Sequence, residues 1–141
     1  MSTTASKARF DESRWPVVVV TLPAEPFDGP GLTKYLADAK RYYTRGQHFG
    51  FVFDIRNAPP MTAAQRRAIA DEIDRATRDY PTIRTVQGVV IASAVQRGIV
   101  KAINWLARQP APTEVFATVE EAVAWAQKEL RAVPAGKKLA G

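Results

Sequence analysis

Apolar residues in this chain follow two rhythms: short β-branched or aromatic runs, and stripes spaced three and four apart. The first run is Val17-Val18-Val19-Val20, bracketed by Pro16 and Pro23. β-Branched side chains fit an extended backbone and lose freedom in a helix, so residues 15–22 are predicted as a strand. Its unbroken apolarity implies burial on both faces. Residues 9–14 read as a short partner strand that turns at Asp11-Glu12-Ser13. Phe49, Phe51 and Phe53 alternate along a second strong strand ending at Asp54 and Ile55. A third strand, over 85–92, centres on Val89-Val90-Ile91, and Glu114-Val115-Phe116 is a short fourth.

The stripes between these strands predict helices. Pro26, Asp28, Gly29, Pro30 and Gly31 are turn chemistry and mark a loop. A helix is predicted over 32–44, with Leu32, Leu36, Ala39 and Tyr43 on one face and Tyr35 and Tyr42 widening it. Gly46 suits its C-terminal cap. Beyond Asn57-Ala58-Pro59-Pro60, a helix over 63–80 turns Ala70, Ile73, Thr77 and Tyr80 inward. On its outer face Arg67 with Asp71, and Asp74 with Arg78, are spaced to pair. A helix over 95–107 turns Val95, Ile99, Ala102, Ile103 and Leu106 inward, with Trp105 at the core rim. Thr118 N-caps the last helix, and Glu121 completes the pattern of a capping box.

The order β(β)αβαβαβα specifies an α/β fold: a mostly parallel or mixed sheet of four to five strands covered by about four helices. At 141 residues the chain has the length of one domain. The domain is expected over 9–132, after a disordered 1–8 and before a flexible basic tail over 133–141.

The net charge of +6 changes the picture only through its distribution. Residues 80–113 hold Arg84, Arg97, Lys101 and Arg108 and no carboxylate. Arg97 and Lys101 stand four apart, on one face of the predicted helix. This is either a solvated face or a patch for an acidic protein partner. Nucleic acid is not expected, because the interleaving of basic and aromatic residues used by single-strand binders is missing. No apolar run approaches the roughly 20 residues of a membrane span. Residues 1–9 lack an apolar signal core, so a cytoplasmic location is expected.

Candidate chemistry is sparse. With no cysteine and one histidine, His48, disulfides, thiolate metal sites and two-imidazole sites are excluded within one chain. No phosphate-cradling glycine loop and no nucleophile elbow occurs. Neither metal nor cofactor is expected. Ser93, His48 and Asp54 supply the residue types of a triad, but only as a coincidence of composition. Asp54 sits at the C-terminal end of a strand, where open α/β sheets place ligands, or else accepts hydrogen bonds in the turn that follows.

Three passages resemble the STAS domain, the fold of bacterial anti-sigma-factor antagonists, in its divergent branch similar to CRAL-TRIO lipid-binding domains. They are Phe53-Asp54-Ile55 followed by a loop and helix, Gly88-Val89-Val90-Ile91-Ala92 leading into a helix, and Glu114 to Ala122 with its Glu120-Glu121-Ala122. The resemblance implies a non-enzymatic regulatory or signalling module that docks a protein through the helix after the Asp54 strand. It points to Asn57, Thr62, Arg66 and Arg67 as partner-binding residues. Switched members carry an Asp-Ser pair at this helix start; here Met61-Thr62 stand there, so Thr62 is a modified hydroxyl or simply an N-cap. A second copy of the chain is a further candidate partner. The alternative is a carrier for a small apolar ligand or lipid, with Tyr35, Tyr42 and Phe51 lining the pocket or filling the core. A filled core there would remove that alternative.

Overall fold

The computed structural model describes residues 8–108 and 111–133. The terminal segments expected over 1–8 and 133–141 lie outside the described residues, apart from Ala8 and Val133. β1 (Arg9–Arg14) and β2 (Val17–Thr21) form an antiparallel hairpin whose turn holds a cis Trp15–Pro16 bond. β3 (Phe49–Asp54), β4 (Thr85–Val90) and β5 (Thr113–Phe116) each add in parallel beside the preceding strand, giving the order β1-β2-β3-β4-β5. The crossovers are α1 (Gly29–Lys40), α2 (Ala63–Asp79) and α3 (Ala94–Leu106). The strands are laid down in one direction and parallel crossovers are right-handed, so the three helices share one face. α4 (Val119–Ala132) follows the last strand and covers the other. The α/β class, the mixed sheet and the four helices agree with the pattern in the sequence.

Period-two alternation divides the core. Val18, Val20, Phe49, Phe51 and Val89 face α1–α3, whereas Val17, Val19, Val52, Val86 and Val90 face α4. The α4 side is close-packed because small meets small. A Cβ built on Gly88 would lie 3.2 Å from the Ala122 Cβ. One on Gly50 would lie 3.0 Å from Val86 Cγ2 and 3.5 Å from the Ala126 Cβ.

Several local expectations change. The Asp28-Gly29-Pro30-Gly31 stretch is not a free turn but the start of α1: Asp28 caps it, its Oδ1 accepting from Gly31 N at 2.6 Å, and Pro30 occupies the first turn. α1 ends at Lys40, and a 3₁₀ segment, Arg41–Arg45, closes on Gly46 at φ 75°. That tightening turns Tyr42 fully inward. The Arg67–Asp71 and Asp74–Arg78 ion pairs do not form among the described residues; Glu72 pairs with Arg75, and Asp74 accepts from Arg108 N. The complete capping box lies at Thr62 with Gln65 rather than at Thr118, which caps only through its own hydroxyl.

Candidate functional site

A cavity of about 120 Å³ lies between the sheet and the α1–α3 layer. Its floor is Phe51, Phe53, Gln87 and Val89; Leu36 and Ala39 of α1, Ile69 and Ile73 of α2, and Ile99 and Ile103 of α3 form the roof. The cause is a mismatch of side-chain lengths. Under α1 the floor carries Phe49 and Phe51 in a ring cluster with Phe10, Trp15 and Tyr42, so that end fills. Under α2 and α3 the roof is aliphatic, from Ile69, Ile73, Ala76, Ile99 and Ile103, with no ring among the lining residues of those helices. Protein interiors ordinarily leave few voids larger than water.

α3 roofs the cavity without being sunk into the core. None of its residues is fully buried. Val95 and Trp105, expected inward or at the core rim, are 66% and 85% exposed. Val100 packs against the core beneath it, and hydrogen bonds hold the helix at its ends. At the N-terminus Ser93 caps it, Gln96 Nε2 donates to Ile55 O at 2.7 Å, and Gln96 Oε1 accepts from Ala92 N at 2.7 Å. At the C-terminus Arg108 N donates to the Asp74 carboxylate at 2.8 and 3.1 Å.

The charged groups at the cavity edge neutralise one another. Lys40 Nζ lies 3.0 Å from Asp79 Oδ2 and 3.8 Å from Glu72 Oε2, and Glu72 also pairs with Arg75. The hydrogen bond from Lys40 holds Asp79 below the usual carboxylate range, and the bond to Asp79 raises Lys40. Burial pushes up the phenols of Tyr35 and Tyr43.

Of the expected pocket residues, Tyr35 and Phe51 line the cavity and Tyr42 does not. Tyr42 was drawn away by the 3₁₀ segment; its hydroxyl donates to Glu12 Oε2 at 2.7 Å, and Arg45 donates to Glu12 Oε1 at 2.6 Å. Tyr42 and then Arg45 hold Glu12 below its ordinary value. Gln87 and Asn104 also line the cavity and were missed. Only an odd polar residue on an inward-facing position could have marked Gln87.

The docking residues expected at the start of α2 form a tethered segment. Thr62 Oγ1 accepts from Gln65 N and Gln65 Oε1 accepts from Thr62 N, both at 3.0 Å. Gln65 Nε2 also donates to Phe27 O at 3.1 Å. Arg66 donates to Met61 O at 2.7 Å, while Asn57 and Arg67 are exposed. On α3, Arg97 and Lys101 are exposed, and Trp105 continues their i,i+4 row. Asp54 accepts from Arg56 N at 3.2 Å and from its guanidinium at 2.9 Å; that bond keeps its carboxyl below the usual range.

His48 sits before β3, at the opposite end of that strand from Asp54, so the three triad residue types are not assembled. Its Nδ1 accepts from Arg84 N at 3.0 Å. Burial, then the Arg84 charge, lowers its pKa. A depressed histidine favours the neutral form in the folded state. Its stabilisation is therefore full above the free value of 6.5 and is lost as the pH falls from there through the folded value. NMR titration of this single histidine should give a midpoint below 6.5. A midpoint above it would contradict the Arg84 hydrogen bond.

No family model, curated protein or solved structure matches the chain.

Proposed function

We propose that this domain binds a small apolar molecule in the cavity between its sheet and α1–α3. One observation carries the reading: a cavity of about 120 Å³, almost entirely carbon-lined, at the centre of the helix-covered face. An enclosed apolar cavity of about 150 Å³ binds benzene, and this pocket, of similar volume, is partly open to solvent, which gives a ligand a way in. The binding role is one of carrying or sensing; no reaction is assigned.

The test fills the space. Val89→Phe places a ring into the cavity from the floor. Benzene or indole should give saturable shifts in a two-dimensional NMR spectrum of the wild type and none in the filled variant, which should melt no lower. A variant that loses about 1–3 kcal/mol, the usual cost of overpacking, together with no saturable ligand in the wild type, would show that the space is not usable.

A second reading, docking of a protein with an acidic surface, is supported by the exposed row Arg97, Lys101 and Trp105 on a helix without a carboxylate. Tryptophan and arginine are the residues that most often anchor interfaces. Both readings place α3 at the centre, and the STAS-like resemblance is compatible with either.

A further inference from the structure

The cavity wall is apolar except at a few points, and those points are specific. Gln87 lies in the middle of β4, paired in register with Phe51 on one side and Thr113 on the other. It occupies an inward-facing position of a central strand, where a leucine or valine would be ordinary. Its side-chain amide has no hydrogen-bond partner among the described residues. The same holds for the amide of Asn104, which approaches from α3, and for the buried hydroxyl of Tyr35. Tyr43, the other phenol of the wall, has Thr85 and is not in this set.

Tyr35 is buried, whereas Gln87 and Asn104 are partly buried and line the cavity with no protein group paired to their amides, so those amides are available to a ligand that displaces water there. Two carboxamides and a phenol supply both donors and acceptors but no charge. The charges nearby, Lys40 and Glu72, are already committed to Asp79 and Arg75 and to each other. An ionic ligand would lose its water here and meet no free counter-charge. A pure hydrocarbon would fill the space but displace the water that the amides otherwise meet, without replacing its hydrogen bonds.

We infer that the cavity selects an uncharged, compact ring carrying one hydroxyl or amide group, with Gln87 and Asn104 holding that group and the carbon wall holding the ring. The inference rests on the proposed ligand-binding reading and narrows it to a class.

Phenol, toluene and benzoate are similar in size and differ in the feature at issue. Isothermal titration of each into the full-length protein is the experiment. Phenol should bind about tenfold more tightly than toluene, although toluene is the more apolar, because only phenol pairs the amides. Benzoate should bind more weakly than phenol. Gln87→Leu should remove most of the preference for phenol while toluene binding persists or rises. Asn104→Leu, at a partly buried position of α3, should move the preference the same way. Toluene binding as tightly as phenol, benzoate binding more tightly than phenol, or a preference that survives both substitutions would overturn the inference and leave the apolar cavity standing. Saturable binding by none of the three would overturn the ligand-binding reading and this inference with it.

Discussion

Replacing Gly88 by valine is expected to lower unfolding stability by about 3 kcal/mol, the upper part of the usual range for overpacking a core. The reason is the seam between the sheet and α4. A Cβ on Gly88 would stand 3.2 Å from the Ala122 Cβ and 3.6 Å from the Ala122 carbonyl oxygen. These atoms belong to a helix that buries Ala122, Val123 and Ala126 together, so none can swing aside alone. Valine adds two further methyl groups, and α4 has to lift along its length to admit them. Gly98 on α3 is the control. A Cβ there meets nothing within 4 Å, so Gly98→Ala should gain up to about 1 kcal/mol from helix propensity. Urea unfolding of both variants tests the contrast. A Gly88→Val protein as stable as wild type would mean that α4 is not fixed by this seam.

Removing the Tyr42 ring should have a still larger effect. Tyr42 is fully buried and touches Phe10, Trp15, Phe49 and Phe51, with ring centroids 6.0 to 6.3 Å away. Tyr42→Ala should cost about 3–5 kcal/mol, as aromatic-to-alanine changes in cores do. Tyr42→Phe keeps the ring and loses only the bond to Glu12. That change should cost about 1 kcal/mol, because the Glu12 carboxylate is partly solvated. It should also let Glu12 titrate closer to its ordinary value, since the Tyr42 hydroxyl is the largest cause lowering it. Equal losses from the two substitutions would show that the hydroxyl, not the packing, holds the hairpin to the 3₁₀ segment.

Most of the fold was legible in the sequence because its signals are local. The Val17–Val20 run, the alternating Phe49, Phe51 and Phe53, and the Thr118 cap are each complete within a few residues. Two kinds of feature were not legible. Asp28-Gly29-Pro30-Gly31 satisfies both turn chemistry and helix-start chemistry, and only the capping bond to Gly31 N separates them. The other kind depends on how far a helix descends onto the sheet. The stripe on α3 is strongly apolar, so the pattern predicted Val95 inside. Depth is set by the partner surface, and the floor beneath α3 holds Gln87 where a large apolar side chain would have drawn the helix down. The cavity is therefore a difference between two surfaces, and neither surface spells it alone. Tyr35 and Phe51 were within reach as aromatic residues near the face; Asn104 carried no signal at all.

The way α3 is fastened bears on time rather than on strength. Its ends are held by hydrogen bonds from Gln96 and to Asp74, while its middle packs Val100 on the core and lays Ile99 and Ile103 over the cavity. Apolar packing can be broken only by exposing carbon to water, whereas each of these bonds can be exchanged for one to water at small net cost. One end of the helix can thus let go and return while the sheet and α4 stay as they are. For a bound molecule that leaves past α3, residence time would then depend on Gln96 and Asp74, neither of which lines the cavity.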